Sequence, residues 1–310
     1  MTRPYTEIAT LMRNLLIYKY IDVTARAGSV RKAAEILAIT PSSLNRRIQA
    51  LEQELATPLF ERHPKGVRLN PAGEQAVHAF RLHLADIVAL KARIEDLKGA
   101  RRGTVSIACS QSLLPIFLPE QIQQYRSQFP GVEFRVHMAD GEAAENALIT
   151  YEADLAIVFS PLTMENFETI TTTQQPVFAV MSAAHKLTAK KRLRLSDCVE
   201  YPLALPRSPY AVRNLLDLEA KRFNNTLRPV VETESYIFLR NYVAGSDAIG
   251  FEIEIGLPQT LQEGIAVRPL DLRVSNGGLL HLAQLRGRTL PVGAAKFAEQ
   301  VANSFEGFQI

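Results

Sequence analysis

Gly28-Ser29-Val30-Arg31-Lys32-Ala33-Ala34-Glu35-Ile36-Leu37-Ala38-Ile39-Thr40-Pro41-Ser42-Ser43-Leu44-Asn45-Arg46-Arg47-Ile48-Gln49-Ala50-Leu51-Glu52 reads as two short helices separated by a very tight turn. Ser29 is a good N-cap for a helix whose Ala33, Ile36 and Leu37 share one face, and Ala34 is small enough to let a second helix approach closely. Thr40 caps the next helix and Pro41 takes its first position, where a missing N–H costs nothing. The pair is a helix-turn-helix.

On the second helix Leu44, Ile48 and Leu51 recur at helical spacing and must face inward. Ser42, Ser43, Asn45, Arg46 and Gln49 are left facing out, clustered towards the N-terminal end, which is the end a recognition helix inserts into the major groove. Asn suits adenine, Arg suits guanine or phosphate, and hydroxyls position phosphates. Downstream, Pro58-Leu59-Phe60-Glu61-Arg62-His63-Pro64-Lys65-Gly66-Val67-Arg68-Leu69 reads as a hairpin with Arg62, His63, Lys65 and Arg68 around a Gly turn, a wing for the adjacent backbone. The candidate contacts to double-stranded DNA are therefore Ser29, Arg31, Thr40, Ser42, Ser43, Asn45, Arg46, Gln49, Arg62, His63, Lys65 and Arg68. A solvated amphipathic helix is the plain alternative for the second helix taken alone.

Charge supports a polyanion-binding head. The 310 residues carry a formal net charge of +3. Residues 1–102 hold 17 Lys and Arg against 10 Asp and Glu, whereas 103–310 hold 18 against 22. With 47% hydrophobic and 22% charged residues the chain is an ordinary globular protein, neither disordered nor collagen-like. No apolar run of about 18 residues and no leader-like N-terminus is present, so a cytoplasmic protein without membrane contact is expected. Cys109 and Cys198 stand far apart without C-x-x-C spacing and read as buried free thiols.

Residues 71–98 form one long helical pattern in which Val77, Phe80, Leu84, Ile87 and Ile94 follow the 3–4 spacing of a coiled-coil seam, with Lys91 and Lys98 at interrupting positions. Pairing with a second copy is expected, giving a homodimer that presents two heads to an operator of two half-sites. Gly99-Ala100-Arg101-Arg102-Gly103 reads as a hinge. Beyond it strands at 104–109, 132–137, 153–159, 202–205, 229–232 and 248–251 alternate with helices, one of them over 113–129, which implies an α/β body binding its ligand at the strands' carboxyl ends.

The combination resembles the LysR-type transcriptional regulators. It rests on Ala33-Ala34, Arg46, Ile48, Leu51-Glu52, Pro58-Leu59-Phe60-Glu61-Arg62 and Pro71-Ala72-Gly73-Glu74. Pro41 and Asn45 depart from the Gln and Ser the family often has there, so operator preference cannot be copied from a relative. The resemblance implies an α+β multidomain protein: a winged helix-turn-helix over 12–70, a linker and dimerisation helix over 71–98, and an effector-binding domain over 103–310. The last is expected to be periplasmic-binding-protein-like, with subdomain I over 103–178 and 274–310 and subdomain II over 179–273. The resemblance also implies a dimer of dimers, a homotetramer, and a small-molecule effector in the cleft.

At the end of the first strand Ser110, Gln111 and Ser112 occupy the usual family ligand position and could hold a carboxylate. Arg207 and Ser208 occupy the matching turn of the second subdomain, where Arg207 offers a bidentate anion partner. Gly141, Glu142, Phe159, Ser160, Tyr236 and Phe238 are further lining candidates, and the set suits a small organic acid. No phosphate loop, His-Glu-x-x-His or Gly-x-Ser-x-Gly occurs, so no catalytic residue, metal or cofactor is expected. Two rival readings stay open: a metabolite-binding protein whose helix-turn-helix serves protein contacts, and an enzyme acting on the bound metabolite.

Overall fold

The computed structural model describes residues 16–64, 66–97, 103–160, 167–208, 210–258, 260–273 and 277–308. Residues 12–15 of the expected head, Lys65 in the wing, Lys98, the hinge at 99–102, and 274–276 lie outside them. Contacts divide the chain between Ile94 and Glu95 into two units.

The first unit comprises α1 (16–27), α2 (Val30–Ile36), α3 (Pro41–Glu54), the antiparallel hairpin β1 (Phe60–His63) with β2 (Gly66–Leu69), and α4 (Pro71–Leu97). Ser29 and Thr40 cap α2 and α3 by accepting the N–H groups of Lys32 and Ser43 at 3.5 and 3.2 Å. Tyr20, Ile21, Ala33, Ala34, Leu44, Ile48 and Leu51 close one core with Leu59, Val77 and Phe80. The hairpin docks on the α1–α2 turn: Val67 N–H donates to Gly28 O at 2.9 Å. The approach is so close that a Cβ on Gly66, at φ +140°, would lie 2.1 Å from that oxygen. Asp22 on α1 pairs with Arg81 on α4 at 2.6 Å and with Arg26 at 3.0 Å.

One continuous apolar seam along α4 is not what forms. Val77 and Phe80 are buried in the head's own core, with the Phe80 ring stacked on Tyr18 at 4.0 Å. The spacing that suggested a seam there is the ordinary inward face of an amphipathic helix. Leu84 and Ile87 are half-buried, and Leu90 and Ile94 remain 51% and 43% exposed.

The second unit holds two main sheets. A five-stranded sheet runs in the order β4-β3-β5-β13-β6, with β3 (Gly103–Cys109) parallel to β4 (Val132–Met138) and β5 (Leu155–Ser160), and β13 (Gly278–Leu285) antiparallel to β5 and β6 (Phe167–Gln175). A four-stranded sheet runs β11-β7-β12-β8, from β7 (Val177–Ser182), β8 (Leu193–Arg194), β11 (Gly250–Ile253) and β12 (Ile265–Asp271). The short β9 (Leu203–Pro206) and β10 (Pro229–Thr233) pair in parallel, and an isolated bridge joins Leu203 to Ile249. The chain crosses from the first sheet to the second at Pro176 and returns between Asp271 and Gly278, with Gly278 opposite Gln175. Val177 and Phe178 thus belong to the second sheet.

Strands β5 and β9 are almost wholly apolar because helices cover them. Helices α5 (Phe117–Gln128) and α10 (Val292–Glu306) meet through Tyr125 and Phe297, whose rings cross edge to face with each other and with Phe134 of β4. The helix expected over 113–129 begins later. A 3-10 turn over Gln111–Leu113 comes first and α5 starts at Phe117, because Pro115 has no N–H to give to a helix interior. Helix α6 (Gly141–Ile149) packs on the other face of the first sheet. Helices α7 (Leu195–Cys198), α8 (Ala211–Arg222) and α9 (Tyr236–Ala244) accompany the second.

Candidate functional site

Two regions collect the polar residues singled out by the sequence. In the head, burial of Leu44, Ile48 and Leu51 sets the rotation of α3 and turns Ser42, Arg46 and Gln49 fully outward, with Ser43 and Asn45 half-buried. Thr40 is spent on its cap and lies 3.2 Å from the Ser42 hydroxyl. Arg47, beside Arg46, lies over the Tyr20 ring at 5.3 Å. Arg31 is exposed and faces Glu35 at 3.5 Å on the same helix. In the wing Arg62, His63 and Arg68 are exposed, and Lys65 lies outside the described residues. A side-chain pairing joins wing and helix: Arg62 Nη2 donates to Asn45 Oδ1 at 3.1 Å.

Two further residues hold this arrangement: Glu52, whose contact the sequence did not suggest, and Asn70, which Asn70-Pro71 announces as the cap of the next helix. Glu52 Oε1 accepts the backbone N–H groups of Leu59 and Phe60 at 2.7 and 3.3 Å, fixing where the wing leaves α3. Asn70 accepts from Gly73 N–H and donates to Pro58 O, both at 2.8 Å, closing the other end. Their positions in Leu51-Glu52 and Asn70-Pro71 were the available signal. The more distant backbone they reach, seven to twelve residues away, is set by the hairpin.

In the body, Ser110, Gln111 and Ser112 follow β3 at the carboxyl end of the first sheet and all three are buried. The Ser110 hydroxyl accepts Phe159 N–H at 2.9 Å and donates to Asp140, the residue before α6. Gln111 Oε1 accepts Tyr236 N–H at 3.2 Å, linking the first sheet's side to the start of α9. Behind them Arg240 donates to both oxygens of Glu252, at 3.1 and 3.0 Å, and to Gly256 O at 2.8 Å. Gln175 at the crossing accepts Ile255 N–H at 2.9 Å. Ser110, Gln111, Ser112, Phe159 and Tyr236 therefore come together. The Phe159 ring is part of the core and only its N–H takes part.

The other lining candidates take no part in these hydrogen bonds. Phe238 is 50% exposed and stacks on Tyr242, since it follows Tyr236 by two on a helix and so points away from it. Glu142 is exposed, whereas Gly141, at φ +52°, opens α6. Ser208 is exposed, and Arg207 is exposed and paired with Glu234 at 3.2 Å. The side chain of Ser160 lies outside the described set.

Electrostatics mark this region as acidic. Burial pushes the Asp140 carboxyl up to about 6, against the opposing hydrogen bond from Ser110. Burial raises the Tyr210 hydroxyl, with Glu234 and Asp140 adding to it. Glu252 is pushed up by burial to about 8 although Arg240 opposes the shift. Burial also lifts the Cys109 and Cys198 thiols to about 12, so both are inert small hydrophobes at neutral pH. Among the described residues no group of three or more His, Cys, Asp or Glu could hold a metal ion, and no helix is long and apolar enough to cross a membrane.

A winged helix-turn-helix head on a two-sheet ligand-binding body defines a class of DNA-binding regulators. Residues 17–74 match the bacterial regulatory helix-turn-helix protein model of the lysR family and residues 98–306 match the LysR substrate binding domain. The chain belongs to the LysR family: it is a DNA-binding transcriptional regulator with an effector-binding domain, from a family of regulators and not of enzymes. It is 30% identical over 207 residues to the HTH-type transcriptional regulator YofA of Bacillus velezensis, covering 65% of this chain and 69% of that protein. It is 24% identical over 289 residues to the uncharacterized regulator YybE of Bacillus subtilis, covering 93% and 97%. Its fold matches a full-length OxyR variant from Pseudomonas aeruginosa (TM-score 0.67, 19% identity, 94% of each chain) and CbnR complexed with its target DNA (TM-score 0.60, 19% identity, 94% and 99%).

Proposed function

We propose that the protein is a one-component switch of the cytoplasm. A small effector enters between the two sheets of the body at Ser110–Ser112 and Tyr236 and shifts their closure, which changes how paired heads sit on an operator of two half-sites. The ligand does this by binding one arrangement better than the other. Two heads are brought together by α4, whose Leu90 and Ile94 are about half exposed among the described residues, and two such pairs form a tetramer. The observation that carries the DNA reading is α3 itself. Its apolar side is sealed in the head, while Ser42, Arg46 and Gln49 stand exposed beside a wing bearing Arg62, His63 and Arg68.

An organic acid is the effector class proposed, under one condition set by geometry. Ser110 already serves Asp140 and Arg207 already serves Glu234. An acid must displace Glu234 or arrive while Asp140 is protonated, so its binding strengthens as pH falls through about 6. A mobility-shift titration of the full chain on the DNA upstream of its own gene tests the whole reading. Sequence-selective binding weakened about tenfold or more by Arg46→Ala supports it. Absence of binding at low salt removes it, in favour of a helix-turn-helix that serves protein contacts. Turnover of a bound ligand would instead favour an enzyme.

A further inference from the structure

An asparagine recognises adenine in the major groove by using both ends of its amide, the carbonyl accepting from N6 and the NH2 group donating to N7. In this protein one end is engaged before DNA arrives. Asn45 Oδ1 accepts from Arg62 Nη2, and since a guanidinium has donors only, the amide atom facing it must be the oxygen. Both partners are anchored from behind. Asn45 follows Leu44, which is fully buried and pins the rotation of α3. Arg62 sits opposite Val67 in the wing, whose N–H is tied to Gly28 O. Gly66 approaches the Gly28 carbonyl too closely for a Cβ of its own, which lets the wing lie against that turn.

We propose that Arg62 is a positioning residue for specificity: by occupying one lone pair of the Asn45 carbonyl and drawing that end of the amide towards the wing, it presents the Asn45 N–H groups to the groove and favours guanine over adenine. Guanine offers two acceptors, O6 and N7, to the remaining N–H groups. Adenine sets its own N6 donor against them. The wing, which by charge alone would grip phosphates without regard to sequence, thereby enters base selection through the recognition helix. This inference rests on the reading of α3 as the helix that enters the groove.

Selection from a pool of random-sequence duplexes with the full-length protein tests it, comparing wild type, Asn45→Ala, Arg62→Ala and the double variant. The position read by Asn45 is the one whose preference vanishes in Asn45→Ala. Wild type is expected to enrich guanine there, Arg62→Ala to move that position towards adenine by about tenfold in the adenine-to-guanine ratio, and the double variant to match Asn45→Ala. Enrichment of adenine by wild type overturns the proposal without any appeal to the variants, even if Arg62→Ala loses its wing. So does an Arg62→Ala that weakens all sequences equally and keeps guanine, because Arg62 is then a backbone contact alone. If Asn45→Ala changes no position while wild type still selects a sequence, the proposal fails because this edge of α3 does not read bases. If wild type selects nothing, the DNA reading itself has failed.

Discussion

Replacing Phe80 by Ala removes a ring that lies within 7° of parallel to the Tyr18 ring at 4.0 Å and is only 7% exposed. Loss of a buried phenylalanine costs about 3–5 kcal/mol, of which a stacked pair contributes about 0.5–1.5 kcal/mol. A small domain has about 5–15 kcal/mol in hand, so the head would be left marginal. Leu90 and Ile94 lie on the same helix, half exposed, and their replacement by Asp removes little from the head itself, within about 1 kcal/mol. Hydrogen exchange of peptides from α1 to α3 in the full chain separates the two cases, with light scattering to read assembly. Phe80→Ala should accelerate that exchange by on the order of a hundredfold to a few thousandfold. The Leu90→Asp/Ile94→Asp pair should leave the exchange unchanged and split the oligomer. An acceleration below about tenfold for Phe80→Ala would mean that Phe80 serves the assembly and not the head's core. An oligomer indifferent to the double Asp variant would remove α4 as the pairing helix.

Three further outcomes follow from single contacts. Glu52→Ala strands two backbone N–H groups and should cost the head about 2–4 kcal/mol in denaturant unfolding, with Glu52→Gln costing clearly less because it keeps an acceptor; equal losses would mean that the hydrogen bonds do not matter. Gly66→Ala meets the Gly28 carbonyl and a left-handed backbone at once, a strain of about 1–3 kcal/mol, so it should move the wing and flatten the salt dependence of DNA binding. Unchanged stability and slope would refute the close approach. Asp140 is held near 6 in the folded chain against 3.8 ordinarily, so the folded state grips this proton more tightly than the unfolded one. Its contribution to stability is present below pH 4 and lost as pH rises through 6. Melting temperature against pH should therefore fall across that window for wild type relative to Asp140→Asn, and parallel curves would show the carboxyl to be unperturbed.

The long α4 shows where a linear pattern misleads. Apolar residues every three or four positions say that a helix has an inner face but not what covers it, and here the cover changes along one helix. Val77 and Phe80 face α1, whereas Leu90 and Ile94 are left about half exposed among the described residues. Ser110 is a similar case. A hydroxyl at the end of a strand suggests a free ligand for an anion, but Asp140, 30 residues on, is brought beside it by the parallel pairing of β3 with β4. Glycine 141 and Glu142 drew notice in the sequence while the neighbouring Asp140 did not, since an Asp before a helix looks like a cap and this one makes no side-chain cap bond.

What the sequence alone determined was everything that acts over a few residues. The caps at Ser29 and Thr40, the proline at the start of α3, the inward face of Leu44, Ile48 and Leu51 and the concentration of charge before residue 102 all follow from backbone geometry and periodicity. Tertiary structure decided which polar groups are already spent: Arg62 on Asn45, Arg207 on Glu234, Ser110 on Asp140. Each of those pairs spans 17 residues or more. A polar side chain's partner is whatever the folded chain carries within about 3 Å of it, and no spacing along the sequence encodes that distance.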